Sequence, residues 1–141
     1  MREKRIRIAV VGVDLFEATS AFVGAIGLVT GFMNIPLHVL SGTPFSDFRV
    51  PALVLGIVVG GSALVAGALA AFGTPRLGAA ASAAAGVVTV GWITTEIAMI
   101  GLGSWAQVAY LLVGVLMIGL AALLWNAESR DMNVRGSRQR V

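Results

Sequence analysis

"PALVLGIVVGGSALVAGALAAFGTPRLGAAASAAAGVVTVGWITTEIAMI", residues 51–100, is two apolar runs joined by a short break, and its only charged residues are Arg76 and Glu96. About 20 consecutive apolar residues, at about 1.5 Å each, make a helix that crosses roughly 30 Å of hydrocarbon. The break "FGTPR" carries Gly73 and Pro75, which punctuate a helix. The stretch predicts a helical hairpin in a bilayer.

Outward from it, two further apolar runs cover residues 6–32 and 105–126, beside 51–72 and 77–100 of the hairpin. "GFMNIPLHVLSGTPFSDFRVP" (31–51) and "GLGS" (101–104) are the remaining breaks. The expected fold class is all-α, a polytopic membrane protein with four transmembrane helices in an antiparallel bundle. Residues 1–127 form one domain, and residues 128–141 a polar basic tail without apolar periodicity, for which disorder is the default.

Composition points the same way. Hydrophobic residues make up 57% of the chain and charged residues 12%, with a mean hydropathy of +0.91, whereas soluble domains carry about 25% charge. There is no cysteine, so disulfides, iron–sulfur clusters and thiolate metal sites are excluded. The basic residues cluster at the ends instead of lining a folded face, which argues against a nucleic-acid partner. Arg2, Lys4, Arg5 and Arg7 precede the first run, and Arg130, Arg135, Arg138 and Arg140 follow the last. With Arg76, nine of the ten lie on one side of four spans, and only Arg49 on the other. The positive-inside rule then predicts cytoplasmic termini and an anionic inner leaflet as the partner of the basic ends. Trp105 and Trp125 sit at opposite ends of the last run, where interfacial aromatic residues belong. The basic start and apolar stretch also resemble a secretory signal, but two acids in the apolar region favour an uncleaved first span.

Lipid tails offer no hydrophobic drive between helices, so small residues mark where backbones approach. Gly24 and Gly27 in the first span, Gly56, Gly60 and Gly67 in the second, and Ser82 and Gly86 in the third are the packing candidates. They serve a tight bundle, a homo-oligomer face or a membrane-protein partner.

Three acids lie inside these runs. Asp14 and Glu17 are three residues apart and share a face of the first helix, and Glu96 lies in the third span. An intramembrane carboxylate costs a few kcal/mol against lipid, so each is a candidate polar-site residue. With span centres at Ser20 and Thr89, Glu17 lies about 5 Å and Asp14 about 9 Å toward the cytoplasm, and Glu96 about 10 Å toward the outside. The axial gap of roughly 15 Å keeps Glu17 and Glu96 out of one coordination sphere. Asp14 is close enough to Arg5 or Arg7 to pair with them, while Glu17 needs a partner across the bundle. On the outer face, His38, Asp47, Trp105 and Gln107 are further candidates. A lone His without Cys makes neither a zinc site nor a bis-ligated haem, so no metal or other cofactor is expected. No catalytic triad, P-loop or dinucleotide fingerprint is present, and an enzyme is not expected.

"PFSDFRVPALVLGIVVGGSALVAGALA" (44–70) and "IGLGSWAQVAYLLVGVLM" (100–117) resemble small, uncharacterised four-span bacterial integral membrane proteins. Those proteins place P-F-x-D before the second span and G-x-x-S-W-x-Q at the start of the fourth. The resemblance implies a bacterial inner-membrane protein and transfers no activity; Glu96 stands where a more neutral residue is the family's pattern. The chain is also similar in size and span number to small multidrug-resistance transporters, which use a first-span carboxylate, matched here by Glu17. The nine-to-one charge bias opposes the dual insertion that such antiparallel dimers need. Two functions are therefore expected: a non-enzymatic subunit or accessory protein, or a proton- or cation-coupled small-molecule transporter working as an oligomer around Glu17.

Overall fold

The computed structural model describes residues 2–138 and, among them, is all-helical. Four long helices follow one another: α1 Arg2–Thr30, α2 Arg49–Phe72, α3 Pro75–Ile100 and α4 Trp105–Arg138. All four contain a stretch long and apolar enough to cross a membrane. Each packs on its neighbours in a ring, α1 on α2, α2 on α3, α3 on α4 and α4 on α1, with α1 and α3 facing each other across the diagonal. The terminal end of the bundle holds the start of α1, the α2–α3 turn and the end of α4. The far end holds the long connection 31–48 and the α3–α4 turn.

Local signals explain the boundaries. Thr74 caps α3, its hydroxyl accepting the Leu77 N–H at 3.3 Å, and Pro75 occupies the first helical position, where no N–H is needed. Gly31 and Gly101, with φ of +71° and +81°, end α1 and α3 in backbone that disfavours any side chain. At the start of α2 the Asp47 carboxylate accepts the Arg49 N–H at 2.9 Å. Val54–Gly60 of α2 is a wide π-helical stretch. It turns Gly56 and Gly60 toward α1, where an added Cβ would stand 3.1 Å from Ala25 and from Phe22.

The interior is made of small and polar residues and the exterior of large aliphatic and aromatic ones. Ala18, Ala63, Ala66, Ala85 and Met117 form one buried cluster, and Val10, Ala70, Ala79 and Leu124 another nearer the terminal end. Phe16, Val23, Ile57, Val65 and Leu112 are exposed. This inverts the soluble pattern and fits a helical membrane bundle.

The packing candidates are placed as follows. Gly24 faces Leu55, Gly56 faces Ala25, Gly60 faces Ala21 and Phe22, Gly67 faces Leu15 and Asp14, and Gly86 lies on the Gly114 carbonyl. Ser82 bonds to Asp14. Gly27 instead meets Met33, which folds back from the connection after its own helix. These faces are consumed within the chain.

Two boundaries differ from the sequence reading by more than two residues. The first helix begins at Arg2 instead of residue 6, and the last runs on to Arg138 instead of stopping at 126. Nothing in the tail's polar sequence breaks a helix before Gly136, and local contacts tie its first turns down. Arg76 pairs with Glu128 at 3.4 Å and lies 5.4 Å above the Trp125 ring, and the Ser129 hydroxyl bonds the Trp125 carbonyl at 3.0 Å.

Arg7 also departs from expectation. Its guanidinium donates to the carbonyls of Ala70 at 2.6 Å, Ala71 at 3.0 Å and Gly73 at 2.8 Å. The end of a helix presents unsatisfied carbonyls and a partial negative charge, and this outcompetes Asp14 for the arginine. Arg7→Ala should therefore lower stability by about 2 kcal/mol in reversible unfolding from mixed micelles, and Arg7→Lys should recover only part, because an ammonium lacks the planar fork.

Candidate functional site

The four helices bury a seam of polar side chains along the α1–α3 diagonal. On α1 the buried positions Val10, Asp14, Glu17 and Ala21 recur every three to four residues, which is one helical face. On α3, Ser82, Thr89 and Glu96 recur at intervals of seven, two turns apart on the facing stripe. The Ser82 hydroxyl donates to Asp14 Oδ1 at 2.8 Å, and the Thr89 hydroxyl donates to Glu17 Oε1 at 3.1 Å. Asp14, Glu17, Ser82 and Thr89 are each no more than 1% exposed.

The two carboxyls are held by one oxygen each. Asp14 Oδ2 and Glu17 Oε2 are buried without a hydrogen-bond partner. Their surroundings differ. Asp14 is enclosed: α2 passes close over it at Gly67, where an added Cβ would stand 3.4 Å from the Asp14 Cβ. Glu17, one turn on, lines a cavity of about 490 Å³ that reaches from the middle of the bundle to the far-end loops.

The cavity is walled mainly by aliphatic side chains, among them Leu28, Leu55, Val59 and Ile93, with Trp92 and Tyr110 adding aromatic faces. Its second acid is Glu96, half-buried, whose Oε1 accepts from Gln107 Nε2 at 3.1 Å. Gln107 is a complete staple for the α3–α4 turn. Its Oε1 accepts the N–H groups of Gly103 at 3.0 Å and Ser104 at 3.2 Å, and its Nε2 also donates to the Gly101 carbonyl at 3.3 Å. The turn thereby fixes where Glu96 points. Among the described residues, the two ion pairs are Arg76–Glu128 and Arg49–Asp47, and none of their cations pairs with Glu17 or Glu96.

The bond to Thr89 brings the Glu17 carboxyl closer to Glu96 than the sequence estimate. Glu17 touches Thr89, and Glu96 is seven residues further along α3, so the carboxyls are separated by about 10 Å along the axis instead of roughly 15 Å. The helix register itself stays near the expected one, since the two hydroxyl–carboxyl bonds join residues 68 and 72 apart; the Glu17 side chain makes up the difference by reaching along the axis to Thr89. They remain distinct positions, but they share one cavity.

The other candidates fall outside it. His38 is exposed in the connection and contributes its carbonyl, which accepts from the Ser41 N–H at 3.0 Å and from the Ser41 hydroxyl. Asp47 caps α2 and meets the Arg49 guanidinium at 3.9 Å on the surface. Trp105 is exposed at the start of α4. Among the described residues no group of acids and histidines is arranged to hold a metal. Thr89 and Tyr110 were not singled out from the sequence; the seven-residue spacing of Ser82, Thr89 and Glu96 was the available signal for the first.

Asp14 and Ser82 act as a pin between diagonal helices, which makes a thermodynamic cycle informative. Ser82→Ala leaves a buried carboxyl with neither oxygen held and should cost about 1–2 kcal/mol in unfolding from micelles. Adding Asp14→Val removes the orphaned group and should restore most of that loss, since deleting both partners is cheaper than deleting one.

No family model matches the chain, and neither a curated protein nor a solved structure matches it. The likeness of residues 44–70 and 100–117 to small four-span bacterial proteins thus rests on those short motifs alone.

Proposed function

We propose that the protein is a multi-pass membrane carrier that binds a small organic cation within its helical bundle, with both termini cytoplasmic and the cavity reached from the opposite side. The observation that carries this reading is Glu17. It is a buried carboxyl with one oxygen unpartnered, set in the wall of a cavity of about 490 Å³ that reaches the far-end loops. Buried polar groups are ordinarily satisfied, and an exception at a cavity is where a ligand supplies the missing donor. Mostly apolar walls, two acids with no protein cation and two aromatic faces select a positively charged head on an apolar body. A cation and a proton would compete for the same carboxyl oxygens, which is the elementary requirement for exchange.

The alternative, a subunit or accessory protein docking through small-residue faces, is less supported, because Gly24, Gly56, Gly60, Gly67 and Gly86 meet residues of the same chain. Glu17 is held through one oxygen by Thr89 of its own chain, so the reading needs no second copy to build the site. Uptake of radiolabelled octylammonium into proteoliposomes tests it: protein-dependent, saturable uptake that vanishes in Glu17→Gln is expected. Uptake equal to that of protein-free vesicles would overturn the carrier.

A further inference from the structure

The cavity holds two carboxyls where a single cation needs one. Resting on the reading above, we infer that its ligand is an aliphatic dication, a diamine or polyamine whose terminal ammonium groups lie about 10 Å apart, bridging Glu17 and Glu96. Four observations converge on this. Glu17 is 1% exposed, its Oε2 has no hydrogen-bond partner, and the residue lines the part of the cavity nearest the middle of the bundle. Glu96 lines the same cavity seven residues beyond Thr89 on α3, toward the loops, so the two acids stand at different depths of it. The rest of the wall, including Ile93, Val59 and Leu55, is mostly aliphatic and carries no third charge. Gln107, through its four bonds, fixes Glu96 in place, so the spacing between the acids is built into the fold instead of being left to a free side chain.

Charge balance points the same way. A monocation at Glu17 leaves Glu96 unneutralised in a partly desolvated site, and the reverse holds for a monocation at Glu96; a dication of matching length neutralises both. A short diamine reaches one acid with its second ammonium stranded against the aliphatic wall, which is costly for an ion without a partner. Trp92 and Tyr110 also line the cavity and can shield an ammonium as it moves along.

The test is a ligand series against purified protein in detergent, read by the shift in thermal unfolding, with diaminooctane, diaminobutane and octylamine as probes. Diaminooctane is expected to bind about tenfold or more tightly than either of the others, the effect of one added charge pairing. Glu96→Gln should abolish that advantage, bringing diaminooctane to the affinity of octylamine in the same variant. Equal affinity for octylamine and diaminooctane overturns the dication while leaving a cation carrier standing. Tighter binding of diaminobutane overturns the spacing. Failure of all three amines to bind removes both this inference and the function on which it rests. Gln107→Leu gives a second readout: with Glu96 no longer anchored, the preference for diaminooctane over diaminobutane should narrow.

Discussion

Gly86→Leu is expected to prevent assembly of the bundle. A Cβ at this position would lie 2.8 Å from the Gly114 carbonyl oxygen, 2.8 Å from Ile118 Cγ1 and 3.1 Å from Met117 Cβ. The first of these is backbone and cannot rotate away. Gly114 reciprocates, since a Cβ there would stand 3.1 Å from the Gly86 carbonyl. The two helices thus touch through main-chain atoms at the level of Met117, which is fully buried in the central cluster. Accommodating even one extra carbon requires α4 to move off α3, and a leucine adds three more. Overpacking of this kind costs about 3 kcal/mol or more, a large share of ordinary domain stability. Loss of monodisperse protein on size-exclusion chromatography, or a strongly lowered unfolding midpoint, is the expected result. Gly91→Leu is the matched control on the same helix: nothing lies within 4 Å of a Cβ there, and normal elution is expected.

Glu17→Gln is expected to leave the fold intact and weaken binding of an alkylammonium at least about a hundredfold, equivalent to about 2.7 kcal/mol. The substitution preserves side-chain shape, and the amide oxygen still accepts from Thr89, whose hydroxyl now holds Glu17 at 3.1 Å. What it removes is the negative charge, and with it the attraction to a cation held in a water-poor wall. Close, desolvated charge pairs have coupling energies of about 1.5–7 kcal/mol, so the predicted loss lies toward the lower end of that range. Titration of purified variant and native protein by isothermal calorimetry checks it. Asp14→Asn supplies the contrast. Asp14 lies one turn away but is enclosed between α2 and α3, bonded to Ser82, so its substitution should alter stability and leave affinity within about threefold, less than 1 kcal/mol.

The four helices were legible because a bilayer imposes a length and forbids unpaired backbone, so composition alone defines the spans. The Gly and Pro breaks at residues 73–75 and 101–104 were legible for the same reason. The extension of α4 past residue 126 was not, since a polar, arginine-bearing helix has no apolar period and is held by Arg76 from another helix. Asp14 misled in a specific way. Arg7 is two turns before it on one helix face, yet the arginine finds the carbonyls of Ala70, Ala71 and Gly73 on α2. Proximity in sequence says nothing of which partner another helix will offer. Glu17 and Glu96 were recognisable as intramembrane acids, but their common cavity depends on the register of α1 against α3, and no single-helix pattern encodes that register. The roles of Trp92 and Tyr110 follow only from where the bundle leaves space.

The most direct test of a cation site at Glu17 is the fluorescence of Trp92, the tryptophan in the cavity wall, in a protein carrying Trp105→Phe and Trp125→Phe. Titration with octylamine should give a saturable change in its emission that disappears in the Glu17→Gln version of the same protein. Emission that stays constant through the titration, or that changes identically with and without the Glu17 carboxyl, would contradict the assignment.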